Sequence, residues 1–98
     1  MLNIKKNVED AKAAVALEGR LDTVTAPSLE KELASLEGVT ELVLDFSALD
    51  YISSAGLRVL LSAQKAMSKQ GKMTICHVND TIMEIFEVTG FSDILTIE

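Results

Sequence analysis

The sequence predicts an α/β domain: a mixed, mostly parallel sheet of about five strands with an N-terminal hairpin and three helices. Three observations predict it. Apolar runs of strand length alternate with stretches whose apolar residues recur at helical spacing, the order expected of repeated βα units. Two extended runs stand side by side before the first helical stretch, as an antiparallel hairpin requires. Glycines at 38, 71 and 90 each follow a helical stretch, where a residue free to turn left-handed commonly stops a helix. With 98 residues, 48% of them hydrophobic, the chain has material for one core, and residues 1–98 read as a single domain.

The elements follow in order. Leu2, Ile4 and Val8, a polar turn over 7–10, and the apolar run 13–17 closed by Gly19 make the hairpin. Leu29, Leu33 and Leu36 form one apolar stripe of a helix over about 26–36, with Pro27 in its first turn, where the missing N–H has no intrahelical partner to lose. Residues 41–46, Glu-Leu-Val-Leu-Asp-Phe, are apolar on both alternating faces, the pattern of a strand covered by helices on each side. After a short connection, Ser53 or Ser54 caps a second helix that carries Leu57, Leu60, Leu61 and Met67 on one face and ends near Gly71. Residues 72–78 form the next strand. Asn79 caps a third helix, with Val78 placed to staple against Met83, and Gly90 stops it. Phe91, Ile94, Leu95 and Ile97 make a last strand.

Composition narrows the function. Nine Lys and Arg against fifteen Asp and Glu leave a net charge of −6, and aromatics are 4% of the chain. Such a surface repels a phosphate backbone and offers few rings for stacking bases, so nucleic acid is not an expected partner. One cysteine closes no intramolecular disulfide, no apolar run approaches the roughly 20 residues of a membrane span, and the first residues lack the apolar core of a secretory signal. The expected compartment is the cytoplasm.

Sites in open parallel sheets form beyond the carboxyl ends of strands, where loops enter helix N-termini. One loop stands out. Residues 45–57 carry two adjacent hydroxyls, Ser53 and Ser54, into the start of the second helix, where unpaired N–H groups and the helix dipole favour a phosphate. A serine there is either a phosphorylation site or simply the cap, the commoner role. Other chemistry has less support. His77, the sole histidine, has no nucleophile elbow to serve, so it reads as structural or exposed. The spacing of Asp22, Asp45 and Asp50 fits no ligand motif, so no metal is expected. Cys76 lies in an apolar strand without a CxxC partner, as a buried inert thiol does. No glycine-rich loop cradles a nucleotide, and no cofactor or enzymatic activity is expected.

At this loop, residues 50–61, Asp-Tyr-Ile-Ser-Ser-Ala-Gly-Leu-Arg-Val-Leu-Leu, resemble the signature of STAS domains of the anti-sigma factor antagonist (anti-anti-sigma factor) family. The likeness extends to Gly19-Arg20-Leu21-Asp22 with Thr25-Ala26-Pro27, to Val43-Leu44-Asp45-Phe46-Ser47, and to residues 82–91. It implies a small, non-enzymatic bacterial phosphoprotein of the cytoplasm that regulates transcription by partner switching. In its unphosphorylated form such a protein binds a cognate anti-sigma factor, usually a serine kinase with a histidine-kinase-like ATP fold, and so frees a sigma factor. Phosphorylation of the loop serine releases the kinase, and a PP2C-type phosphatase restores binding.

Carried over by residue, the resemblance places the phosphoacceptor on Ser54. Ser53 stands where many of the family have aspartate and is a competing acceptor. Asp22, Ser53, Ser54, Gly56 and Arg58 are the implied partner-binding residues, and a monomer suffices for the switch. Other systems use the same fold as an adaptor in a different partner switch, as a stressosome-like scaffold, or as the soluble subunit of a lipid transporter, and the sequence leaves those readings open.

Overall fold

The computed structural model describes residues 2–34 and 38–98. Its elements run β1 (Leu2–Glu9), β2 (Lys12–Leu21), α1 (Ala26–Ala34), β3 (Glu41–Ile52), α2 (Ser54–Gln70), β4 (Lys72–Cys76) and α3 (Asp80–Thr89), followed by a 3-10 turn over Phe91–Asp93. The sheet has the order β1-β2-β3-β4, with β1 antiparallel to β2 and the other two pairings parallel. This is the α/β architecture expected, with the N-terminal hairpin and three helices. A fifth edge position is held by one parallel bridge between Ile75 and Ile97.

Helix boundaries follow their caps. Asn79 accepts from the Ile82 N–H at 2.8 Å to open α3, and Gly90 closes it at φ 82°, a left-handed turn that a glycine makes without penalty. Val78 and Met83, on either side of that cap, both pack against the core. Pro27 sits in the first turn of α1. The stripe residue Leu36 lies outside the described residues; Leu29 is buried and Leu33 packs against the core.

Five strand readings are corrected. The hairpin turns at Asp10 and Ala11 instead of over 7–10, since Glu9 pairs with Lys12. Asp10 takes φ 53° there, a left-handed conformation that aspartate tolerates better than most residues. β2 continues through Gly19 to Leu21. β3 likewise runs on through what read as a connection. Its buried residues are Leu42, Leu44, Phe46, Leu49 and Ile52, so the period of two becomes three beyond Phe46. The pairing with β2 explains this: register shifts between Ala16 and Glu18 and between Gly19 and Arg20 each insert an extra residue on the β3 side. At the other end, the expected last strand is a 3-10 turn over Phe91–Asp93 and then the single bridge at Ile97. β4 also stops early, at Cys76, because His77 turns left-handed.

The helices cover one face of the sheet, not both. Leu17, Leu42, Leu44, Phe46 and Ile75 are buried on that face, and Phe46 meets Phe86 of α3 with ring centroids 6.4 Å apart. On the opposite face Ala16, Val43, Asp45 and Cys76 are only half-buried, and they line an open hollow of 310 Å³. Val43 therefore reads as a two-sided core residue in sequence while one of its faces meets solvent.

Candidate functional site

The site forms where β2 and β3 end together. Leu21 pairs with Ile52 at the last rung of the parallel ladder, and both are buried. The next N–H, that of Ser53, donates to the Leu21 carbonyl at 2.8 Å. This bond ties the start of α2 to the start of the Asp22 loop. Gly56 completes the joint. A Cβ there would lie 2.7 Å from Leu21 Cγ and 2.9 Å from Ile52 Cγ1, so only a glycine lets the first turn of α2 settle on the strand ends. Gly56 is buried: it positions the entrance and offers a partner no side chain.

The two serines have different jobs. Ser53 is the N-cap, extended at φ −100° and ψ 175°, with its hydroxyl accepting from the Gly56 N–H at 3.4 Å. Ser54 is the first helical residue and is exposed, and its hydroxyl makes no hydrogen bond among the described residues. The N–H groups of the first turn of a helix lack intrahelical acceptors, so the positive end of a 17-residue helix lies at this hydroxyl. Arg58, one turn on, is exposed. It lines a shallow groove with Thr23, Pro27 and Ala55.

Asp22 organises its loop. Its Oδ1 accepts from the N–H of Val24 at 3.0 Å, the N–H of Thr25 at 3.1 Å and the Thr25 hydroxyl at 3.2 Å. Its carbonyl accepts from Ala26 at 2.8 Å as α1 begins. These bonds, the Thr25 N–H first, hold the Asp22 carboxyl below its ordinary pKa despite some desolvation. Asp22, half-buried, thus organises the loop that leaves β2 next to the residue whose carbonyl holds Ser53. Val24, 84% exposed, stands at the tip of the loop.

Sequence reading missed a pair next to this loop. The Arg20 guanidinium lies 4.5 Å from the centroid of the Tyr51 ring, and its Nε is 3.9 Å from Asp22 Oδ2. Arg20 and Tyr51 are opposite each other in the ladder only because of the second register shift. The signal available in sequence was the three-residue spacing of Phe46, Leu49 and Ile52.

The three aspartates do not converge. Asp50 is exposed on β3. Asp45 lies seven positions before Ile52, roughly 15 to 20 Å from the α2 entrance along a bulged strand. It faces a different group of residues: its Oδ1 accepts from the Ser47 N–H at 2.9 Å and lies 3.0 Å from His77 Nδ1. The Ser47 N–H, more than His77, holds the Asp45 carboxyl below the ordinary carboxylate pKa. His77 is exposed, as one reading of it expected. Cys76 is half-buried where a buried thiol was expected. Partial burial, and then the charges of Asp45 and Glu98, push that thiol's pKa up.

Among the described residues no helix is long and apolar enough to cross a membrane. The STAS domain family model matches residues 3–98. BtrV of Bordetella bronchiseptica, which bears an anti-sigma factor antagonist name, is 38% identical over 91 residues, covering 90% of this chain and 78% of that protein. An anti-sigma-B factor antagonist of Staphylococcus aureus is 31% identical over 97 residues, covering 96% and 90%. Among solved structures, the Bacillus cell fate determinant SpoIIAA in its phosphorylated form shares the fold with a TM-score of 0.75 at 16% identity, covering 100% of this chain and 91% of that one. The family model, these relatives and the fold agree: the chain belongs to the STAS domain family, among relatives named anti-sigma factor antagonists.

Proposed function

We propose that the chain is an anti-sigma factor antagonist switched by phosphorylation of Ser54. Unmodified, it binds a cognate anti-sigma factor, a serine kinase with a histidine-kinase-like ATP fold, through the α2 entrance, the Asp22 loop and Arg58, and so frees a sigma factor in the cytoplasm. It acts by binding and turns over no substrate. Phosphorylated by that kinase, it lets go, and a PP2C-type phosphatase resets it.

One observation carries the reading: of two adjacent serines, Ser53 spends its hydroxyl on the cap while Ser54 presents its own to solvent at a positive helix end. A phosphate adds about −1.5 to −2 charge and three acceptor oxygens. In the free protein the helix dipole and solvent accommodate that charge. Across an interface the same charge is stripped of water beside the ionised Asp22 loop, and burying it unpaired costs about 2 to 3 kcal/mol, roughly a 30- to 150-fold loss of affinity. The fold stays; the complex does not. The S. aureus relative's name and the phosphorylated fold neighbour support the assignment.

The test is phosphate transfer from the cognate anti-sigma factor kinase, followed by mass spectrometry. Incorporation confined to residue 54 and lost in Ser54→Ala is expected. Full labelling of Ser54→Ala would move the acceptor to Ser53.

A further inference from the structure

Away from the α2 entrance, on the helix-free face, three chemically different donors come together. Asp45 and Cys76 are direct partners in the parallel β3–β4 register, so their side chains leave the same face of the sheet. The following residue, His77, takes φ 59°, a region that non-glycine residues enter only when their surroundings hold them there. That turn sets Nδ1 at 3.0 Å from Asp45 Oδ1. The carboxylate oxygen, the Cys76 Sγ and the imidazole nitrogen all lie within 4.8 Å of one another.

We propose that Asp45, Cys76 and His77 form a binding site for a single borderline divalent cation of the zinc class. A tetrahedral ion with bonds of about 2.0 to 2.3 Å holds its ligands about 3.3 to 3.8 Å apart. The Asp45–His77 pair, at 3.0 Å, needs to open by only a few tenths of an ångström, and the Cys76 sulfur, within 4.8 Å of both, needs to close by about 1 Å. The donor set selects the metal: the thiol disfavours calcium and magnesium, and the imidazole suits zinc, cobalt or nickel. The Ser47 N–H on Asp45 Oδ1 fixes the carboxylate in the manner of an outer-shell partner. The fourth position opens on the 310 Å³ hollow that Asp45 and Cys76 line, leaving room for water or an external ligand. Lys5 and Lys6 border the same hollow and oppose a cation; Lys6 is paired with Glu32 at 3.1 Å, and the Glu98 charge also acts on Cys76. Binding releases the thiol proton to solvent. The site is independent of the Ser54 switch.

Titration of reduced, tag-free protein with Co(II), followed by absorbance, tests the site. One equivalent should produce a sulfur-to-cobalt charge-transfer band that Zn(II) bleaches, and Zn(II) should raise the thermal midpoint. Cys76→Ser should abolish the band and the midpoint shift. His77→Asn, chosen because asparagine tolerates the left-handed turn, and Asp45→Asn should each weaken Co(II) binding by about tenfold or more with an unchanged circular dichroism spectrum. Ser54→Ala should bind as the parent does. Absence of the band in the folded parent protein, or undiminished affinity in either the His77 or the Asp45 variant, would overturn the three-ligand site.

Discussion

The Ser53 N–H and the Leu21 carbonyl, 2.8 Å apart, join the entrance of α2 to the root of the Asp22 loop. Through this bond the phosphoacceptor proposed at Ser54 and the loop proposed to share its partner surface are one rigid unit, braced from beneath by Gly56 against Leu21 and Ile52. On the proposed reading, modification at Ser54 is read out as charge on a preformed surface.

The division of labour between the serines is separable by stability. Ser53→Ala removes the N-cap and should lower unfolding free energy by about 0.5 to 1 kcal/mol, the low end of the usual range because the bond is long. Ser54→Ala should change it by less than about 0.5 kcal/mol. Urea titrations of the two variants measure this; equal losses would mean that both hydroxyls act as caps.

Gly56→Ala places a methyl where Leu21 Cγ would be 2.7 Å away. Overpacking of this kind costs about 1 to 3 kcal/mol. The urea midpoint should fall accordingly, and kinase binding should weaken more than in an exposed-surface control, because the α2 entrance lifts off the strand ends. An unchanged midpoint would show that the joint is slack.

α3 buries Phe86 against Phe46, beside the equally buried Ile82. Phe86→Ala empties a fully buried site and should destabilise the fold by about 3 to 5 kcal/mol. A loss below about 1 kcal/mol in chemical denaturation would place the anchor of α3 elsewhere.

Asp22 carries a prediction with a definite sign. Its carboxyl is held below the ordinary value of 3.8, first by the Thr25 N–H. A lowered folded pKa means the charged form favours the native state. That stability is present above the unfolded value and is lost as pH falls through the folded one. The amide resonances of Val24 and Thr25 should therefore titrate with a midpoint below 3.8, and Asp22→Asn should flatten the fall in stability over the same acid range. A midpoint at or above the ordinary value would contradict the loop geometry.

Helices were legible because their signals are local. Asn79, Gly90 and the serines at 53 and 54 each announce a boundary within a few residues. The strands beyond Phe46 were not, because a bulge is defined only against its partner: nothing within 46–52 alone says that β2 will be short by one residue at two places. The second face of β3 misled for the same reason, since Val43 looks equally apolar whether a helix or solvent covers it. At the site, the resemblance placed the proposed acceptor on Ser54 with Ser53 as competitor, and what only the backbone adds is the difference between them: extended at Ser53, helical at Ser54. Asp45, Cys76 and His77 were each visible, but only the β3–β4 register and the left-handed turn at His77 bring them together.

Calorimetric titration of the cognate kinase with the unmodified protein, with protein phosphorylated at Ser54 and with Ser54→Asp tests the switch most directly. Tight binding by the first and a roughly 30-fold or greater loss in the phosphorylated form, with the native circular dichroism spectrum retained, is expected. Ser54→Asp should move the same way. Equal affinity of the phosphorylated and unmodified proteins would contradict charge gating at the α2 entrance.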